Sequence, residues 1–278
     1  MSEISAAAVM KLRNRTGAPM MDCKAALTEA AGDDEKAVEI LRKKSASIQA
    51  KKADRETAEG RIGVFIDAEK KVGSIVEMRC ESAPVVKSDQ FIVLTQQVAK
   101  QIALKAPKSI DELLSQNFVD DPKKTVTEVI GEVIGLIRES MKPARMTRLE
   151  GLLGSYIHHD GSVGVLIQVE GTKADPQLLR DICMHITAKN PAAAKREEVT
   201  PEFIEKEKEI ARGQAAATGK PAKIVEMIIE GKMKTWFADN VLLEQPFVKD
   251  DTKTVGELLK SAGLSLVRYV RYKVGELT

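Results

Sequence analysis

Three histidines and three cysteines hold most of the nucleophilic, acid–base or metal chemistry this 278-residue chain could offer, and their spacing supports none of it. His158 and His159 are neighbours in a stretch that reads as a strand running into a turn. Neighbouring strand residues point to opposite faces, so the two cannot chelate one ion as an i, i+2 or i, i+4 pair does. His185 stands one residue off an apolar helical stripe, which predicts a helix-surface residue rather than a base. Cys23, Cys80 and Cys183 are scattered, odd in number and without metal-ligand spacing, the pattern of reduced thiols. The segment GQAAATGKP at 213–221 is similar to a phosphate loop, but five residues separate its glycines and Pro221 stands where Ser or Thr would hold Mg²⁺. It also joins two helices instead of following a strand. These residues form no specific catalytic constellation and no metal site, so enzyme activity stays open but unsupported by them.

Charge narrows the class further. Lys and Arg total 43 against 41 Asp and Glu, a net charge of +2, whereas a dedicated nucleic-acid binder concentrates basic residues on one face. One Trp, three Tyr and six Phe are too few for base-stacking platforms. The first residues, MSEISAAAVMKLRNRT, lack the apolar core of a signal peptide, and no apolar run reaches the length of a membrane span. The expectation is a cytoplasmic protein with no membrane and no direct nucleic-acid partner.

The elements that would position a contact surface are legible in outline. Residues 1–55 read as three short helices and a linker. Ile4, Val9 and Leu12 share a face of the first, and Met20, Cys23 and Leu27 follow one another at helical spacing on the second. A third, capped by Asp33 or Asp34, turns Ala37, Val38 and Leu41 inward. The basic tract at 43–55 reads as a solvated helix end and linker. A repeat follows. Gly63, Phe65, Ile66, Val72, Gly73 and Ile75 recur 91 positions later as Gly154, Tyr156, Ile157, Val163, Gly164 and Leu166, each copy a hairpin of two strands. A helix succeeds each hairpin: Leu94, Val98, Ile102 and Pro107 match Leu178, Ile182, Ile186 and Pro191 at an offset of 84, so the first copy carries seven more residues near 80–87. An insertion in one copy of a duplicated scaffold marks a loop leaving the fold.

Between the copies, Val126, Ile130, Val133 and Ile137 predict an amphipathic helix. Residues 201–217 and 222–238 predict two helices joined by the turn at 218–221, a hairpin whose second helix carries Ile224, Met227 and Ile228 on one stripe. The alternation in LVRYVRYKV at 266–274 predicts a closing strand. Segregated hairpins and helices give an α+β class. Three regions follow: 1–55, 56–145, and 146–278 including the arm at about 201–240.

Certain residues carry a family resemblance. Leu12-Arg13-x-x-Thr16-Gly17-Ala18-Pro19-Met20-Met21-Asp22-Cys23-Lys24-x-Ala26-Leu27 resembles the N-terminal signature of the elongation factor Ts family. Gly154-Ser155-Tyr156-Ile157-His158, Gly219-Lys220-Pro221, Glu230-Gly231-Lys232-Met233, Gln245-Pro246-Phe247-Val248 and the stretch VRYVRYKVGE at 267–276 resemble later segments of that family, in its order. The resemblance implies an N-terminal UBA-like three-helix module, a core of two duplicated hairpin-plus-helix subdomains, and a projecting antiparallel coiled-coil arm. It implies a translation factor that binds elongation factor Tu in its GDP form, as a heterodimer or higher complex, and promotes exchange of GDP for GTP, with no cofactor and no covalent bond made or broken. Leu12, Arg13, Met20 and Met21 would hold that partner. Met20 also fits the bundle core, in which case Met21, about a quarter turn away, is the exposed contact.

The family's Mg²⁺-dislocating motif, Thr-Asp-Phe-Val, falls on Ser82, Ala83, Pro84 and Val85, within the insertion found from the repeat. Ala83 removes a charged acceptor and Pro84 replaces an aromatic wedge, which implies retained docking with a weakened wedge. The alternative is a paralogue that docks or sequesters the GTPase without exchanging its nucleotide. Some family members continue past the last strand with another helix, a contact this sequence is expected to lack.

Overall fold

The computed structural model describes residues 4–216 and 222–276. Three helices come first: α1 (Ala6–Thr16), α2 (Met20–Glu29) and α3 (Asp34–Lys52). Ser5 caps α1, Gly17 ends it in the left-handed conformation, and Asp33 caps α3 by accepting from the Glu35 and Lys36 N–H groups. Val9, Leu12, Cys23, Leu27, Ala37 and Leu41 close a small core of their own. The basic tract at 43–55 is mostly the end of α3, which continues to Lys52 and lies along a later helix at Val126–Ile137, with only its last residues beyond the helix.

The first repeat unit comprises β1 (Glu59–Asp67), β2 (Val72–Cys80), a single helical turn α4 (Ala83–Val86), α5 (Asp89–Lys105), α6 (Ile110–Ser115), α7 (Val126–Ile137) and β3 (Met141–Glu150). The second comprises β4 (Leu152–Ile157), β5 (Val163–Gly171) and α8 (Pro176–Lys189). Then come α9 (Pro201–Ala216), α10 (Ala222–Asn240), the short pair β6 (Pro246–Phe247) and β7 (Asp250–Thr254), α11 (Val255–Ser261) and β8 (Leu264–Lys273). Strand order is β1-β2-β3 in one antiparallel sheet and β4-β5-β8 in the other. The helices α5 and α8 each pack on their own hairpin and each end in a left-handed residue, Ala106 or Asn190, one position before a proline.

The duplication runs deeper than the hairpins. A bulge interrupts the β2/β3 ladder between Glu77 and Met78, and another interrupts β5/β8 between Gln168 and Val169, again 91 positions on. The two sheets meet through reciprocal contacts. A Cβ on Gly73 would come within 2.7 Å of Leu153, and one on Gly164 within 2.5 Å of Ile62. Ile62 and Leu153 are themselves 91 apart, so each copy offers the same glycine to the same position of the other, about a pseudo-two-fold axis. Ile62, Ile75, Leu149, Leu166 and Tyr272 fill this seam.

Close approach also fixes α3. A Cβ on Gly135 would lie 2.5 Å from Ser45 Oγ and one on Gly131 2.6 Å from Gln49 Oε1, so α3 rides in a groove on α7 that only glycine leaves open. The pair α9 and α10 runs antiparallel: Phe203 meets Trp236 at 5.5 Å between ring centres, and Lys232 bonds Gln214. Ala211, Ala215, Ile229 and Met233 form the buried stripe. Ile224 and Met227, expected on that stripe, face outward, because the small alanines of α9 receive the residues about one position further along. The connecting turn at 218–221, with Gly219-Lys220-Pro221 and the end of the phosphate-loop-like segment, lies outside the described residues.

His185 corrects another expectation. It is fully buried rather than on the helix surface. The segment after α10 folds back over α8, so Nδ1 accepts from the Val248 N–H at 3.2 Å and Nε2 donates to Gln245 Oε1 at 2.8 Å. That pattern fixes a neutral ring. Burial lowers its pKa, with Lys189 adding to the fall and the Gln245 bond opposing it. A neutral folded-state His means that the unfolded chain takes up a proton first on acidification. The stability it contributes is complete above its ordinary pKa of about 6.5 and is lost as pH falls below that value, by at most about 1.4 kcal/mol per unit. Denaturant midpoints between about pH 7.5 and about pH 5 should therefore fall in the native chain and flatten in His185→Gln. Equal slopes in the two proteins would refute this.

Candidate functional site

Eight residues separate β2 from α5, whereas four separate β5 from α8; α5 is longer than α8 by the remaining three of the seven extra positions. The insertion is a built turn rather than a loose loop. Val85 and Val86 drop into the core of the first unit beside Met78, Cys80 and Phe91. The Lys87 N–H closes the turn onto the Pro84 carbonyl at 3.2 Å, and Ser88 Oγ donates to the Val85 carbonyl at 2.8 Å. Ala83 and Pro84 are left exposed. Of the four motif positions, then, two form a tip, Val85 is an anchor, and Ser82 is half-buried. Proline near the start of a helical turn fixes φ and forgoes an N–H that would have no partner there.

Ser82 occupies the N-cap position of α4, yet its hydroxyl does not cap the turn. It donates instead to Glu139 Oε1 at 2.7 Å. Glu139 lies between α7 and β3, and its neighbours are fastened too. The Ser140 N–H donates to Glu81 Oε1 at 2.6 Å, and Arg138 pairs with Asp22 of α2 at 2.5 Å. Asp22 also holds Lys44 of α3 at 2.7 Å. Three consecutive residues thus grip the tip, the end of β2 and the N-terminal helices. The hydrogen bond from Ser140 is the largest cause holding the Glu81 carboxyl below its usual range, and Arg55 adds to it. Burial pushes the Cys80 thiol up to about 12, so the cysteine nearest the tip stays protonated.

The N-terminal helices present a second surface. Leu12 is only 1% exposed and belongs to the helical core, so its side chain is not a free contact as the signature implied. Its i, i+3 companion Val9 shows why: both lie on the stripe facing α2 and α3. Arg13, Met20 and Met21 are exposed, with Met20 at 43% and Met21 at 74%, so Met20 does not join the bundle core either. Met10, exposed at 47% one turn before Arg13, was missed; a methionine off the Val9/Leu12 stripe was the available signal. Glu139 was missed as well, since nothing in sequence ties it to Ser82 at 57 positions' distance. No group of His, Cys, Asp and Glu among the described residues has the geometry to hold a metal ion. His158 bonds Asp160 at 3.0 Å in the β4–β5 turn.

The site is thus an exposed turn of small residues on a two-sheet scaffold, tied to a helical unit that exposes methionines. The sequence profile of the family described as Elongation factor TS matches residues 81–276. Elongation factor Ts of Thioalkalivibrio sulfidiphilus is 41% identical over 277 residues, covering 98% of this chain and 92% of the relative. That of Aquifex aeolicus is 40% identical over 281 residues, 97% of each chain, and that of Clostridium kluyveri 39% over 285 residues, 98% and 93%. The chain belongs to the elongation factor Ts family. It is a translation elongation factor that acts in nucleotide exchange. No described helix is long and apolar enough to cross a membrane.

Proposed function

We propose that this chain binds elongation factor Tu carrying GDP, in the cytoplasm, and speeds GDP release so that GTP can enter, with the exposed turn at Ala83 and Pro84 as its working tip. The observation that carries the reading is that this turn exists in one repeat copy only and is pinned on both flanks. In this reading Arg13, Met20 and Met21 dock the partner from a UBA-like module at 1–55, and α9 with α10 forms a coiled-coil arm that adds contact. The regions 56–145 and 146–278 are the two core subdomains, and the complex is a heterodimer or a higher assembly of such pairs. Exchange requires that the factor bind the vacant partner more tightly than the GDP-loaded one, since only that difference moves the equilibrium. No bond is made or broken and no cofactor of this chain takes part. A docking-only role has no separate observation to favour it.

The direct test is release of a fluorescent GDP from the cognate partner with and without the purified chain; unchanged release would sink the reading. A sharper expectation concerns the tip. Ala83→Asp with Pro84→Phe restores an acidic acceptor and an aromatic ring at exposed positions, and should raise the maximal release rate about five-fold, worth about 1 kcal/mol at the barrier. Unchanged or slower release would mean that the native Ala-Pro tip already suits its partner.

A further inference from the structure

We propose that Glu139 is a positioning residue for exchange: through the Ser82 hydroxyl it sets how the Ala83–Pro84 tip is presented to the partner. The inference rests on the proposed function and concerns residues that the motif comparison does not touch.

Three local sacrifices converge on this contact. Ser82 stands where a side chain would cap α4, and gives up that cap to reach Glu139. The second carboxylate oxygen of Glu139 is covered, with no donor in reach. A buried acceptor without a protein donor is unfavourable, so the contact carries a cost. Arg138 ends α7 in the left-handed conformation at φ 68, a place that favours glycine or asparagine, and its side chain is committed to Asp22. Unsatisfied groups and special backbone conformations gathered at one point are the signature of a site held in a particular geometry at a cost.

The geometry then explains what the carboxylate does. Its backbone is fixed on one side by the Arg138 N–H to the Ile134 carbonyl, at 2.8 Å, and on the other by the Ser140 N–H to Glu81. The carboxylate is thus carried on a backbone fastened on both sides, and Ser82 is bonded to it. Ser82 carries the first peptide of the turn, and Val85 carries the last into the core, so the exposed pair between them is anchored at both ends. Ala83 and Pro84 offer little reach of their own, so their placement matters more than it would for a long aromatic ring.

The test measures release of a fluorescent GDP from the cognate partner across concentrations of the full chain, in Glu139→Ala, Glu139→Gln, Ser82→Ala and the double alanine variant. Glu139→Ala should lower the maximal release rate about ten-fold while the half-saturating concentration stays within about two-fold. Glu139→Gln, which keeps an acceptor for the hydroxyl, should recover most of the rate. The double variant should be no slower than the worse single one, as expected of two groups acting as one. Ser82→Ala deletes a single hydroxyl and keeps the test open should Glu139→Ala fail to fold. A native maximal rate in either alanine variant overturns the inference. So does a loss seen only in half-saturation, or losses that multiply in the double variant. Absence of any acceleration by the unmutated chain overturns the exchange reading, and this inference with it, and is told apart because it appears before any substitution is made.

Discussion

Glu77→Ala is expected to cost the fold about 3–5 kcal/mol of unfolding free energy. Its carboxylate, with a side chain only 3% exposed, accepts from Arg79 at 2.8 Å, from Arg145 at 2.6 Å and from the Gly275 N–H at 3.0 Å. Burial alone would raise its pKa; the Arg79, Gly275 and Arg145 bonds outweigh burial and hold it below the usual carboxylate range. The contribution is therefore present above that range and lost as pH falls through it. Arg145 lies over the Tyr272 ring at 4.2 Å and donates to the Lys273 carbonyl at 2.8 Å, so Glu77 ties the end of β8 to the first sheet. Deleting it leaves two guanidinium groups, 17% and 18% exposed, facing each other without a counter-charge. Denaturant unfolding of the two proteins checks this. A loss under about 1 kcal/mol would place the cluster with ordinary surface pairs.

Met21→Asp should raise the concentration of factor needed for half-maximal GDP release roughly 30-fold, about 2 kcal/mol, while leaving the fold intact. At 74% exposure Met21 contributes nothing to the helical core, so the free chain loses little by the change. In the proposed docking role this flexible, polarizable side chain would pack against the partner, and a carboxylate in its place would have to be desolvated on docking. Leu12→Ala provides the contrast. At 1% exposure it should lower stability by about 2–5 kcal/mol and weaken docking only through unfolding. If Met21→Asp binds as tightly as the native chain, the docking surface lies elsewhere on the N-terminal helices.

The comparison of these two residues shows what a motif can and cannot carry. Leu12 and Met21 stand in one signature, but one holds the bundle together and the other faces solvent, as the phase of each on its own helix, α1 or α2, decides. The hairpins, their helices and the closing strand were legible because apolar spacing repeats at fixed offsets. β3 was not. Pro143 and three basic residues make Met141–Glu150 a poor strand by composition, yet β3 is an edge strand, and its register steps beside Pro143 at the bulge. His185 was misplaced because its cover comes from Gln245 and Val248, sixty or more residues later, which no local period records. At the site, the insertion could be found by counting between copies, whereas the Ser82–Glu139 bond could not, since it depends on where α7 happens to stop.

The reciprocal glycine contacts relate the two hairpin-plus-helix units as near equivalents, and two equivalent units could seat two clients competing for one job. On the proposed reading the turn at 83–86 would remove that ambiguity, for among the described residues only the first unit carries such a probe. The twin position, the short crossing from β5 to α8, is left blunt. Grafting residues 81–88 there would give a chain with two probes. Such a chain would report whether a single approach direction is imposed by the probe itself or by the helical unit and arm around it.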